Sequence, residues 1–359
     1  MSLTARAIVM KEPNVWVRET QPVPEPGHGE VLVTVGTIGV CGTDFHAFGG
    51  NQPLFTYPRV PGHELGVKVA RLGPGCEGSG LSVGDHCAVE PYIGCGDCVA
   101  CRGGKPNCCL SISVLGVHID GGLKTQLVLP ANKCHRSAKK LPLDQLAVVE
   151  PLCIAAHAVF RAGCAAGENV LVIGAGPVGM GVCQFALANG SNLLAMDISD
   201  HRLAFVRDQI GVPATMNPMV SGSKDDGEVI VRAVMDHFGG ELPTCVIDAT
   251  GAPPSMEEAF EYVAHGGRIC FVGHSKKNIT FANPLFHQRE MTILGSRNAL
   301  GADFDRTIAL IEEGKVDVKP WITHRCKFDD FEANFAEWLK PETGVIKALC
   351  ELSMDSASL

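Results

Sequence analysis

Residues from about 1 to 150 alternate apolar and polar positions in short runs, such as EVLVTVGTIGV at 30–40 and LGVKVARLG at 65–73. Gly and Pro interrupt these runs at short intervals. A period of two with frequent turn residues predicts short strands in an all-β region of barrel or sandwich type. The pattern changes between about 165 and 295. NVLVIGAG (169–176) is an unbroken apolar run that fits a buried strand, and PVGMGVCQFALANG (177–190) predicts a helix with a glycine stop. LLAMDIS, CVIDATG, RICFVG and MTILGS are further strands, with helical stretches between them. Strands alternating with helices predict an α/β unit with a parallel, doubly wound sheet. After about residue 296 one clear helix remains, DFDRTIALIEEG (303–314), followed by a mixed segment. That segment is too short to fold alone, so it is expected to return to the first region. The tail SMDSASL is expected to be disordered.

A chain of 359 residues is long for one core, so two domains are expected. The formal charge of −9, with basic and acidic residues interspersed, gives no basic block for nucleic acid or a membrane surface. Val170 to Met196 contains no charged residue and could be taken for a membrane span. Its glycines and the Asn189-Gly190 break fit a strand, a turn and a buried helix better. The N-terminal segment lacks a signal-peptide pattern, so the sixteen cysteines read as reduced and the cytoplasm is the expected compartment.

Four of those cysteines, Cys95, Cys98, Cys101 and Cys109, follow the order C-x2-C-x2-C-x7-C. Thiolates this close can converge on one tetrahedral Zn2+. Four protein ligands leave no open position, so such a zinc is structural and the chemistry must lie elsewhere. Cys108, beside Cys109, is an alternative fourth ligand.

Gly174-Ala175-Gly176-Pro177-Val178-Gly179 is G-x-G-x-x-G placed between a strand and a helix, the context in which the motif cradles a dinucleotide pyrophosphate. Asp197 ends the next strand, where a carboxylate can accept both ribose hydroxyls of NAD and repel the 2′-phosphate of NADP. Val272 ends a later strand, on the edge expected to hold the nicotinamide. Cys41-Gly42-Thr43-Asp44-Phe45-His46, Gly62-His63-Glu64 and Glu150-Pro151 offer thiolate, imidazole and carboxylate, the donors of a catalytic Zn2+. They lie far apart in sequence, so spacing alone does not bring them together.

This order of motifs resembles the zinc-dependent medium-chain alcohol and polyol dehydrogenases over nearly the whole chain. The resemblance implies a GroES-like catalytic domain (1–152 and 297–359) carrying a zinc lobe at about 92–112, and a Rossmann domain (153–296). It implies two Zn2+ per chain, NAD as cofactor, and a homodimer or homotetramer. The implied reaction takes a secondary alcohol of a sugar acid or polyol to a ketone, with the alcohol ionised on the metal and hydride passed to the nicotinamide.

Residue by residue, Cys41 and His63 match catalytic ligands. Glu150 matches the third ligand of sorbitol- and threonine-dehydrogenase-like members, with Cys153 as a rival. Glu64 resembles the carboxylate that exchanges on the metal, and Asp44 the partner that orients the histidine. Thr43 and His46 match a proton relay. Arg202 and Ser296 join the Gly-rich loop, Asp197 and Val272 as cofactor contacts. His118, Arg297 and Asn298 are candidate substrate contacts, although Arg297 could instead order Glu150 or the cofactor. Lys347 could meet a cofactor phosphate or stand in solvent. Segments such as GGNQPLFTYPRVPGHE and LGSRNALGADF are most similar to bacterial sugar-acid dehydrogenases.

Overall fold

The computed structural model describes residues 3–219 and 227–353. The tail expected to be disordered lies, beyond Ser353, outside the described residues. The chain divides into two units. The first comprises 1–151, 299–314 and 318–359; the second comprises 152–298 and 315–317.

The first unit opens with a hairpin of β1 (Thr4–Glu12) and β2 (Val15–Pro22), followed by β3 (Glu30–Val40), β4 (Glu64–Leu72) and β5 (His86–Val89). Next come the two short strands β6 (Tyr92–Ile93) and β7 (Ser113–Val114), then β8 (Gln126–Pro130) and β9 (Cys134–Arg136). The second unit holds β10 (Asn169–Ile173), β11 (Asn192–Met196), β12 (Ala214–Met216), β13 (Cys245–Asp248), β14 (Arg268–Phe271) and β15 (Thr292–Gly295). The chain then returns to the first unit with β16 (Ile322–Lys327) and β17 (Lys347–Glu351).

In the first unit the sheet order is β16-β17-β3-β4-β5-β9. Along one side of β3, β8 pairs with Glu30–Thr34 and β17 with Thr37–Val40. The central strand is therefore covered on both edges and buried on both faces, with Val31, Val33, Val35 and Ile38 at or below 1% exposure. Burying each such side chain stabilises by about 1.5–3 kcal/mol relative to leaving it exposed. Most of the remaining cysteines sit in the cores, as reduced small hydrophobes do.

In the second unit all six strands run parallel in the order β12-β11-β10-β13-β14-β15. The uncharged stretch Val170–Met196 becomes β10, the helix Pro177–Ala188 and β11. Among the described residues no helix is long and apolar enough to cross a membrane. The order reverses between β10 and β13, so the carboxyl ends of these strands form a switch point, where open α/β sheets bind ligands.

Candidate active site and its two metal-ligand sets

The thiolate lobe hangs from a neck. β6 and β7 pair antiparallel, Tyr92 opposite Val114 and Ile93 opposite Ser113, and the chain between them contains all four cysteines. The sulfurs of Cys95, Cys98, Cys101 and Cys109 lie within 4.8 Å of one another. Cys109 is buried and completes the set, while Cys108 is exposed and stands outside it. Backbone N–H groups point at the sulfurs. Cys109 Sγ accepts from Cys95 (3.2 Å) and Ser111 (3.3 Å), and Cys95 Sγ accepts from Cys98 (3.3 Å). Donors from Leu110 and Cys101 pull the Cys98 thiol down to about 6. Four convergent sulfurs with N–H donors to thiolate fit a structural Zn2+.

The second set assembles from two distant segments of the first unit, with Glu150 of a third segment beside it. Cys41 caps the helix Gly42–Phe48: its sulfur accepts the Thr43 N–H (3.5 Å), and Asp44 Oδ2 accepts the Cys41 N–H (2.9 Å). His63 and Glu64 enter where β4 begins. Gly39 lies opposite Glu64 on β3, and a side chain there would come within 2.1 Å of the Glu64 carboxylate. The glycine thus makes room for an acid inside the sheet. The donor atoms of Cys41, His63 and Glu64 lie within 4.8 Å of one another. Glu150 is not in that trio. It lies in the first turn of the helix Val149–Ala162, where the helix dipole favours a carboxylate.

Burial of this acidic set is costly unless a cation joins it. Glu64, Glu150, Asp44 and His63 are all buried. Burial raises the Glu150 pKa, and the neighbouring Glu64 adds to the rise, against the opposing pull of His63, Tyr92 and Lys347. Burial likewise raises Asp44. For His63 burial works downward, but hydrogen bonding to Cys41 and the charges of Cys41, Asp44 and Glu150 hold it well above its ordinary value. His63 Nδ1 and Asp44 Oδ1 are buried without a hydrogen-bond partner. Thiol, imidazole and carboxylates crowded together, with polar atoms unsatisfied, fit a divalent cation such as Zn2+.

Two members of the site were not foreseen in these roles. Lys347, on β17, is neither solvated nor aimed at a cofactor phosphate. It is buried, and its ammonium donates to both Glu64 oxygens (2.6 and 2.7 Å) and to the Val40 carbonyl (3.3 Å). A lone lysine in the apolar run VIKALC was the available signal, since a buried ammonium needs a partner. Tyr92, also buried, donates its phenol hydrogen to Glu150 Oε1. Its position three residues before Cys95 was visible, but nothing local named its partner.

Thr43 is half-buried and His46 exposed, three residues apart on one helix and so on one face. His118 is half-buried, and its Nδ1 accepts the Val114 N–H (3.1 Å), which leaves Nε2 as the protonated nitrogen of the neutral ring. Cys153 is buried in the helix after Glu150 and is absent from the ligand cluster.

In the second unit Gly174 has φ +97°, a backbone conformation that favours glycine, and turns the chain out of β10. Gly179 packs its helix against this turn so closely that a Cβ would stand 1.7 Å from Gly174 O. At Gly176 a Cβ would meet only Arg202 Nη1, at 3.9 Å, so the backbone there is open to a ligand. Pro177 begins the helix and Val178 follows it half-buried. Asp197 accepts from Ala175 N–H (2.6 Å) and Ser199 N–H (2.8 Å), and Arg202 lies 4.0 Å away. Ser199, not Asp197, caps the following helix. Val272 donates its N–H to Asp248 O (2.9 Å), and the Ser296 hydroxyl is buried without a hydrogen-bond partner. Arg297 is exposed, and Asn298 adopts φ +51°.

Comparison with known proteins agrees with both halves. Residues 27–140 match the alcohol dehydrogenase GroES-like domain, and residues 177–313 match the zinc-binding dehydrogenase model. The chain is 40% identical to L-galactonate-5-dehydrogenase of Escherichia coli K12, over 90% of this chain and 92% of that protein. It is 32% identical to 2-dehydro-3-deoxy-L-galactonate 5-dehydrogenase of Pseudoalteromonas atlantica, over 92% and 94%. A solved structure from E. coli CFT073, described as a short-chain alcohol dehydrogenase complexed with NADH, superposes with TM-score 0.86 at 29% identity, covering 98% of this chain and all of that one. The chain belongs to the zinc-type medium-chain alcohol dehydrogenase family.

Proposed function

We propose that this protein oxidises a secondary alcohol of a sugar acid or polyol to the ketone, with NAD as acceptor and Zn2+ held by Cys41, His63 and Glu150. The observation that carries the reading is the convergence of the Cys41, His63 and Glu64 donor atoms within one unit, with the buried Glu150 close enough to feel the charges of His63 and Glu64. Bound Zn2+ would supply a Lewis acid that makes the alcohol hydroxyl acidic, and bound NAD would accept the hydride. Lys347 neutralises Glu64 through both oxygens, whereas the phenol of Tyr92 takes only one oxygen of Glu150. Glu150 therefore has an oxygen that Tyr92 does not take, which favours it as third ligand over the neutralised Glu64.

Thr43 takes the hydroxyl proton, and His46, on the exposed face of the same helix, passes it to water. Asp197 retains lone pairs for the ribose hydroxyls beside its two N–H donors. His118, Arg297 and Asn298 are the proposed donors to substrate, with a guanidinium suited to pairing a carboxylate bidentately. The assembly is a homodimer or homotetramer and the compartment the cytoplasm.

The test is a panel of aldonates, polyols and threonine, following NADH with NAD and NADP offered separately. Turnover of threonine alone would move the assignment to an amino-alcohol dehydrogenase. One zinc per chain without turnover would leave a dinucleotide-binding protein with only its lobe metal. Arg297→Met should lower kcat/KM for an aldonate far more than for a neutral polyol, and an equal loss on both would sink the carboxylate role.

A further inference from the structure

We propose that Tyr92 is a positioning residue that ties the thiolate lobe to the catalytic ligand set by holding Glu150. The inference rests on the metal reading above and assigns to the lobe a task beyond bracing the fold.

Three observations meet at this residue. The phenol donates to Glu150 Oε1 across 58 positions of chain, with both side chains buried. Tyr92 is also the first residue of β6, so its backbone forms half of the two-residue ladder that closes the lobe's neck. That neck is pinned further on: Leu115 N–H donates to Pro91 O (3.0 Å), and Val114 N–H donates to the His118 ring. All these groups belong to the first unit.

The physical argument concerns rotation. A glutamate has three side-chain torsions, and burial alone does not choose which oxygen faces a ligand. A phenol hydrogen bond fixed from one side selects the carboxylate plane and leaves the second oxygen able to serve as a ligand when the metal is bound. Its donor can hold that direction only if the tyrosine backbone is itself fixed. Two ladder residues are a weak clamp by themselves, because an isolated pair of strands this short is marginal in water. Four thiolates just beyond Ile93 and Ser113 would supply the missing restraint when they hold a metal. Groups that orient metal ligands typically change metal affinity by about 10–100-fold when removed.

The experiment uses full-length enzyme loaded with Co2+, whose visible absorption reports the geometry of each site separately: a thiolate-rich spectrum from the lobe and a mixed N/O/S spectrum from the catalytic set. Tyr92→Phe removes one hydroxyl and keeps the ring that packs at the neck. Its catalytic-site spectrum should shift and its affinity for that metal should fall about 10–100-fold, with the lobe spectrum unchanged. Cys98→Ser, which loosens the lobe, should disturb the catalytic spectrum in the wild-type background but add little in the Tyr92→Phe background. An unchanged catalytic spectrum and affinity in Tyr92→Phe overturns the proposal while leaving the metal reading intact. Full additivity of the two changes overturns the link to the lobe. A wild-type protein that binds only one Co2+ per chain overturns the metal reading itself, and this proposal with it.

Discussion

Replacing Lys347 with methionine tests the electrostatics of the site most directly. The substitution keeps most of the side chain's volume and removes the ammonium from the Glu64 carboxylate, to which it donates at 2.6 and 2.7 Å. Lys347 is 5% exposed and Glu64 0%. An exposed ion pair is worth about 0–1 kcal/mol. Breaking a buried pair by removing one partner costs about 3–5 kcal/mol, because the surviving charge stays desolvated. These ranges do not overlap, so the measurement discriminates. Urea denaturation of the metal-loaded protein should show Lys347→Met less stable by about 3–5 kcal/mol. Glu64→Gln should cost a similar amount by stranding the ammonium. The double variant should recover much of the loss, because no unpaired charge remains. A cost below about 1 kcal/mol for Lys347→Met, or single costs that simply add in the double variant, would refute the reading of a desolvated pair.

Other consequences can be checked independently. Cys109→Ser should lose the lobe metal, leaving about one zinc per chain by elemental analysis, whereas Cys108→Ser should keep the wild-type content; the reverse would make Cys108 the ligand. Gly179→Ala places a methyl 1.7 Å from Gly174 O, so it should cost about 1–3 kcal/mol by overpacking and abolish NADH binding by fluorescence titration. His135 is buried, which lowers its pKa, but hydrogen bonds to Asp305 and Glu90 outweigh burial and raise it above 6.5. Its folded-state pKa exceeds the unfolded one, so the stabilisation is complete below the unfolded value and lost as pH rises through the folded value. Asp305→Asn should therefore be destabilising in urea melts near pH 6 and close to neutral near pH 9, and an equal cost at both would contradict the pairing.

The parts legible in sequence are those whose partners are near in the chain. The lobe cysteines fall within fifteen residues, and the loop Gly174–Gly179 lies between the strand and helix that give it meaning. The parallel sheet followed from apolar runs alternating with helical ones. The grouping of Cys41 with His63 and Glu64 was readable only through resemblance, since they come from separate segments. Lys347 escaped for a physical reason: its partner lies 283 positions away, so no local pattern distinguishes a buried lysine from a solvated one. Tyr92 escaped similarly, because an aromatic in EPYIGC reads as packing until Glu150 is seen beside it.

β17 inserts between β3 and β16, and it delivers Lys347 to a site whose other residues were translated long before. During synthesis β10 to β15, and so the whole parallel sheet, emerge before that strand exists. The ribosome therefore releases a nucleotide-binding half that can fold while the mixed sheet of the first unit still waits for β17. Until then Glu64 has no counter-charge, and the thiol and imidazole beside it stand in an open sheet. The four lobe cysteines, complete once Cys109 emerges, are therefore together well before Lys347 reaches Glu64.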